Sequence, residues 1–348
     1  MAAATGQDSV PIETHHDDMI HDAQLDFYGK RLATCSSDRT IKIFDVINGE
    51  PQRQQNAGVT LKGHTGPVWQ VAWAHPKYGH ILASCSYDGK VLIWKEQQGG
   101  QGGAGATTNT GYGQVPYGGA AAAGGAGNWA RVKEHSLHTA SGESVRAENY
   151  SSASTNDRVD DGTWGADIFN AHNVGCNAVS WAPATLPGSL ITPTPGVPNA
   201  NPNAPPSTTS VKRFASAGCD NLVKIWGFRS VTLELVEYRR EEVLKGHTDW
   251  VRDVAWAPNI GLPRSYIATA SQDRTVIIHS KATPTSAWTQ TFLHPTSDAN
   301  ETKFPDVVWR VSWSLAGNIL AVSCGDGKVT LWKENLKGGW ECISEMAN

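Results

Sequence analysis

No stretch of this chain approaches the ~20 consecutive apolar residues that a membrane-spanning helix needs. The head, MAAATGQDSVPIETHHDD, has neither the basic flank nor the apolar stretch of a signal peptide. The expectation is a soluble chain that reaches membranes only through partners. Positive charge is also scarce: 29 Lys and Arg stand against 33 Asp and Glu, a net charge of −4. That leaves no basic footprint for direct nucleic-acid binding. The six cysteines suggest no disulfide framework. Cys35 and Cys85 fall three residues before an Asp, at a place that Ala217, Ala270 and Ser323 fill elsewhere. This marks a small buried site and fits a reducing compartment. There is no G-x-S-x-G elbow and no phosphate-binding glycine loop.

What the chain does have is repetition. DGKVLIWKE at 88–96 returns as DGKVTLWKE at 326–334. Related copies begin at Asp38, Asp220 and Asp273. In each, the Asp starts a turn, and apolar residues alternate behind it as Ile41/Ile43, Val91/Ile93, Val223/Ile225, Val276/Ile278 and Val329/Leu331. Period two with β-branched residues is strand behaviour. The spacing is 50 residues from Asp38 to Asp88, and 53 both from Asp220 to Asp273 and from Asp273 to Asp326. A fixed period in this range signals a repeat array. A strand of small apolar residues precedes each Asp, and a Trp-marked strand precedes that. Trp73, Trp181, Trp256 and Trp313 lie on the earlier strand, and Trp94, Trp226 and Trp332 follow the Asp. His64, His172 and His247 open their units. A more polar outer strand, such as 58–62 or 231–238, completes each one. Four short strands cannot bury both faces of a sheet, and stacking such sheets around an axis does so.

These motifs, GH followed by a strand, an Asp turn and IW, resemble the WD-repeat β-propeller family over about 18–345. Within that family, GPVWQVAWAHPKYGHILASCSYDGKVLIWKE (66–96) and KFPDVVWRVSWSLAGNILAVSCGDGKVTLWKEN (303–335) go well beyond the generic consensus. They are similar to the propellers that serve the outer COPII vesicle coat and the Y-shaped complex of the nuclear pore. The fold expected is all-β: a six-bladed, open WD-repeat propeller over 16–345 behind a polar tail, 1–15. Two loops are inserted, a Gly/Ala-rich one at 97–127 and a Pro-rich one at 184–210.

The third unit breaks the count. Once the two loops are discounted, the interval from Asp88 to Asp220 is roughly twenty residues short of two periods. The deficit falls around 141–161, SGESVRAENYSSASTNDRVDD, which lacks apolar alternation, a Trp strand and an IW strand. The expectation is therefore a third blade truncated or degenerate in this sequence. Between a faulty gene model and a true loss, the former is preferred, since a missing blade would expose its neighbours' faces.

The first and last units each read as complete, and the tail has no strand pattern to lend. Six blades with no shared one leave an unpaired seam. The resemblance implies that an α-solenoid subunit of the COPII outer coat, or an α-solenoid nucleoporin of the Y complex, inserts a blade there in trans. It implies a place on the cytoplasmic face of the endoplasmic reticulum, on COPII vesicles and at the nuclear pore, and a third setting in a nutrient-signalling complex. The alternative is a generic WD-repeat adaptor, such as a substrate receptor of a ubiquitin ligase. No catalytic, cofactor or metal site is expected. A catalytic His–Asp pair is needed once, whereas these recur in unit after unit. The run of His15, His16, Asp17, Asp18 and His21 matches no zinc template and reads as entry to the first blade. Trp69, Trp250 and Trp309 read as one repeated packing position.

Overall fold

The computed structural model describes residues 12–47, 50–51, 58–74, 76, 79–97, 128–136, 169–183, 213–230, 236–259, 264–283, 285–296 and 301–346. These form β-sheets built from strands consecutive in sequence. Blade one holds Ile20–Leu25 (β1), Arg31–Ser36 (β2), Thr40–Ile47 (β3) and Val59–Lys62 (β5), with Glu50–Pro51 (β4) as a short extra strand on β3. Blade two is Val68–Trp73 (β6), Ile81–Ser86 (β7), Val91–Gln97 (β8) and Asn128–His135 (β9). Blade three is Cys176–Trp181 (β10), Arg213–Gly218 (β11), Val223–Ser230 (β12) and Val236–Leu244 (β13). Blade four is Val251–Trp256 (β14), Ser265–Ser271 (β15), Val276–Lys281 (β16) and Thr289–Phe292 (β17). Blade five is Val308–Trp313 (β18), Ile319–Cys324 (β19), Val329–Glu334 (β20) and Trp340–Met346 (β21). The chain divides into two compact units, Met1–Ala166 with the first two blades and Asp167–Asn348 with the other three.

The fold is thus an all-β WD propeller with five blades among the described residues, which corrects the expected six with a truncated third. Strand pairing explains the correction. Trp129 and its neighbours pair with β8 in the register Val91↔His135, so β9 completes blade two. The next described strand, β10, opens a third blade that has all four of its strands. A period count converts excess sequence into expected sheets, whereas among the described residues the strand pairing between blades two and four closes one blade, β10 to β13. Residues 141–161, most of 97–127 and all of 184–210 lie outside the described residues. The outer strand expected at 231–238 is instead Val236–Leu244.

The turn after each second strand explains the repeated Asp. The residue following it has positive φ in every blade: Arg39 (69°), Gly89 (73°), Asn221 (63°), Arg274 (67°) and Gly327 (84°). The Asp side chain then accepts the amide two residues on, from Thr40 (2.8 Å), Lys90 (3.0 Å), Leu222 (3.3 Å), Thr275 (2.9 Å) and Lys328 (3.1 Å). A left-handed residue costs energy unless it is Gly or is held locally, and this carboxylate bond holds it.

Apolar faces stack between neighbouring blades. Ala33, Cys35, Ile41 and Ile43 of blade one pack with Val68, Val71, Leu82 and Leu92 of blade two. Blades three and four share a second cluster, and blades four and five a third that includes Ile278, Leu320 and Trp332. Fully burying each such side chain contributes about 1.5–3 kcal/mol. Polar bonds fix the stacking. Trp73 Nε1 donates to Gln24 O at 2.9 Å, and Trp313 Nε1 to Ala255 O at 3.0 Å. Asp253, only 2% exposed, accepts the Val311 amide of the next blade at 3.0 Å. Trp256 donates its backbone amide to Ser180 Oγ at 2.9 Å, joining blades three and four.

Candidate functional site: buried His–Asp relays and an uncovered blade face

Four blades carry a His–Asp–hydroxyl relay. His64 Nδ1 lies 3.1 Å from Asp88, and its Nε2 lies 2.8 Å from Ser84 Oγ. His172 meets Asp220 at 2.6 Å and Ser216 at 2.8 Å. His247 meets Asp273 at 3.1 Å and Thr269 at 2.8 Å. His16 meets Asp38 at 2.7 Å and Thr34 at 2.9 Å. His16 was not among the expected relay histidines. Its 22-residue distance to Asp38, against 24 from His64 to Asp88, is the signal that could have found it. Of the polar run at 15–21, His21 goes elsewhere, to Ser37 Oγ at 2.6 Å.

The relay has the donor–acceptor order of a hydrolase triad, but its surroundings make it a scaffold. Ser84 and Ser216 are wholly buried, and each hydroxyl also accepts an indole N–H: Trp94 at 2.9 Å and Trp226 at 2.8 Å. A nucleophile needs a free approach for substrate, and these oxygens are sealed from solvent with an imidazole and an indole already bonded to each. The titration behaviour fits a structural role. Burial pushes His64 and His172 below the usual imidazole range, outweighing their carboxylate partners, so both are neutral at pH 7. Burial opposes ionisation of Asp38, but hydrogen bonds from Thr40, His16 and the Asp17 amide hold it down at about 2. Asp88, Asp220 and Asp273 are lowered by the same competition.

Two blades depart from the pattern. In blade four, His279 stands where Trp94, Trp226 and Trp332 stand in blades two, three and five and Phe44 in blade one. In blade five Phe304 occupies the place of the relay His and packs on Trp332 at 6.0 Å, while Asp326 keeps its turn bond to Lys328 at 3.1 Å. Trp332 donates to Thr330 instead, at 2.8 Å. Trp181 packs on Phe214 at 5.4 Å, and Trp256 on Trp288 at 6.1 Å. Among the described residues there is no cluster of His, Cys, Asp or Glu able to hold a metal ion.

The surface that stands out is one face of blade five. Four positions recur in each blade on the face carrying the small residues of the second strand. They are Ala33, Cys35, Ile41 and Ile43 in blade one, and Ala215, Ala217, Val223 and Ile225 in blade three. Ala268, Ala270, Val276 and Ile278 fill them in blade four, and all twelve are buried. In blade two, Ala83, Cys85 and Ile93 are buried and Val91 is half-buried. In blade five none is fully buried: Ala321, Ser323, Val329 and Leu331 are all half-buried, like Val91. The opposite face of the same blade, with Leu320, Val322 and Trp332, is sealed. No described sheet mixes strands from the two ends of the chain.

The first strand of every blade also carries a bulge after its first pair, between Ile20/Asp22, Val68/Gln70, Cys176/Ala178, Val251/Asp253 and Val308/Arg310. The bulged residues are His21, Trp69, Asn177, Arg252 and Trp309. Trp69 and Trp309 are therefore equivalent, but Trp250 is not; Arg252 holds its place.

Comparison with known proteins agrees with this architecture. The family model "WD domain, G-beta repeat" matches residues 9–45, 56–95, 239–280 and 300–333. The chain is 58% identical to "Protein transport protein SEC13" of Mycosarcoma maydis over 356 aligned residues, covering 96% of this chain and 94% of that one. It is 52% identical to the protein of the same name from Cryptococcus neoformans var. neoformans serotype D (strain JEC21), covering 99% of this chain and 100% of the relative. A third protein of that name, from Emericella nidulans, is 46% identical over 95% of this chain and 96% of its own length.

Proposed function

The chain belongs to the SEC13 family of WD-repeat proteins, and from that premise we propose that it is a structural subunit of protein transport rather than an enzyme. In this reading it stiffens the outer COPII coat in transport from the endoplasmic reticulum to the Golgi, and it serves as a scaffold subunit of the Y complex at the nuclear pore. It acts by accepting a blade donated by an α-solenoid partner. It works on the cytoplasmic face of the endoplasmic reticulum, on COPII vesicles and at the pore, peripheral to membranes through its partners.

The observation that carries this reading is the uncovered face of blade five. Side chains of the type fully buried elsewhere are only partly buried there, on a sheet whose other face is sealed. A strand-rich segment laid on that face would bury it as the other blades bury one another. The relays add stiffness without chemistry, because each hydroxyl, imidazole and carboxylate is spent on its own blade.

The test is purification of the endogenously tagged chain followed by mass spectrometry and hydrogen exchange. The expected result is stoichiometric recovery of helical-solenoid coat and pore subunits, with β19 and β20 slower to exchange in the complex than in the isolated chain. Recovery of ubiquitin-ligase subunits, or unchanged exchange in blade five, would overturn the proposal.

A further inference from the structure

In blades four and five, the guanidinium of Arg252 lies between two indoles. Its central carbon is 5.0 Å from the centre of the Trp250 ring and 4.9 Å from that of Trp309. The arrangement is built by bulges. The register shift at Val251/Asp253 re-aims Arg252, and the shift at Val308/Arg310 re-aims Trp309 from the neighbouring blade toward it. Both indoles are largely open to solvent, Trp250 at 41% and Trp309 at 47%. Large aromatics are seldom left so exposed in pairs without a partner.

The charge of Arg252 is unbalanced. Arg31 is bonded to Glu96 through two nitrogens at 2.8 and 3.0 Å, Arg213 to Glu241 at 2.6 Å, and Arg264 to Glu334 at 3.0 Å. Arg252 has no carboxylate in reach among the described residues. One terminal nitrogen donates to Gln272 Oε1, and its buried Nε–H has no acceptor. The nearby acids are engaged by backbone: Asp253 accepts the Val254 and Val311 amides at 2.9 and 3.0 Å, Asp249 the Trp250 amide and Asp306 the Val307 amide, the last two at 2.7 Å. A cation with both faces covered and a donor left idle is costly unless an anion completes it.

We propose that Trp250, Arg252 and Trp309 form a docking site for a carboxylate side chain on an acidic segment of a partner protein. The indoles block the faces of the guanidinium, so a ligand must meet its edge, where paired N–H groups match a carboxylate. Trp250 and Trp309 then pack against the methylenes of the entering side chain. The site is independent of the open face of blade five and stands or falls separately from it.

The test uses the full chain and two labelled peptides, one alternating glutamate with leucine and its glutamine counterpart, with binding read by fluorescence anisotropy and by the tryptophan emission. The glutamate peptide is expected to bind about tenfold more tightly than the glutamine one, with affinity falling as salt rises. Arg252→Met should abolish that preference, and Trp309→Ala should weaken both peptides, with thermal melts confirming a folded protein. If Arg252→Met does not fold, the salt dependence and Trp309→Ala decide the matter. Absence of glutamate-peptide binding, equal binding of the two peptides, or a preference surviving Arg252→Met would overturn the proposal. So would stronger binding to phosphatidylserine vesicles than to the peptide.

Discussion

His247 and His279 aim a ring nitrogen at the same hydroxyl: their Nε2 atoms lie 2.8 and 3.5 Å from Thr269 Oγ1. Thr269 also lies 3.2 Å from the Ile277 carbonyl. The hydroxyl has one proton to donate, so once His247 or the Ile277 carbonyl takes it, His279 can meet the oxygen only with Nε2–H as donor, and the Nδ1 of His279 has no partner among the described residues. Burial, with the neighbouring His247 adding to it, drives the His279 imidazole down to about 3.

The first prediction is acid sensitivity. Above its ordinary value of about 6.5, His279 is neutral in both folded and unfolded chains and contributes nothing to the pH slope. Below that, only the unfolded chain takes up the proton, so stability falls with pH down to about 3. At pH 5 the loss is about 2 kcal/mol. His64 and His172 are lowered too and act with the same sign. Urea midpoints at pH 7 and pH 5 should differ accordingly, and His279→Phe should flatten the difference; an equal slope in the variant would show the group is irrelevant.

The relays should be strong single points. Ser84→Ala leaves both His64 Nε2 and Trp94 Nε1 without their shared oxygen in a sealed interior. A cost of about 2–4 kcal/mol is expected. Chemical denaturation of this variant beside Ser312→Ala, on the exposed side of blade five, provides the contrast.

The turns can be tested by exchange. Gly89→Ala forces a Cβ into φ 73° and should cost about 1 kcal/mol. Arg39→Gly removes the same strain at φ 69° and should be neutral or stabilising by up to about 1 kcal/mol. Equal effects of the two changes would mean that the Asp bond, not glycine, decides the turn.

Leu331 and Ile278 share a position on successive blades but not an environment. Ile278→Asp buries a charge in a fully covered site and should unfold the domain at moderate temperature. Leu331→Asp, at a half-buried position, should cost the isolated chain less than Ile278→Asp does while abolishing recovery of the partner. Retention of the partner by this variant would separate the blade-five face from binding.

The repeat was legible because every blade needs the same left-handed turn, and that turn demands an Asp and a β-branched pair at fixed offsets. The relay positions of His64, His172 and His247 followed from the same frame. His16 was hidden in a run of His and Asp that lacks the Gly before it. The blade count failed for a different reason: periodicity measures sequence length, whereas a sheet exists only where amides and carbonyls pair. The equivalence of Arg252 with Trp69 and Trp309 was equally out of reach. A bulge shifts the frame by one residue and leaves no mark in composition.

Because β1 to β5 close their sheet between Ile20 and Lys62, and each later described blade likewise uses neighbouring strands, no described blade draws a strand from the far end of the chain. On a ribosome, blade one can finish its hydrogen bonds before blade two has emerged, and its open flank is capped as the next hairpins arrive. Blade five is the last of the described blades to leave the ribosome, after the other four have paired their own strands.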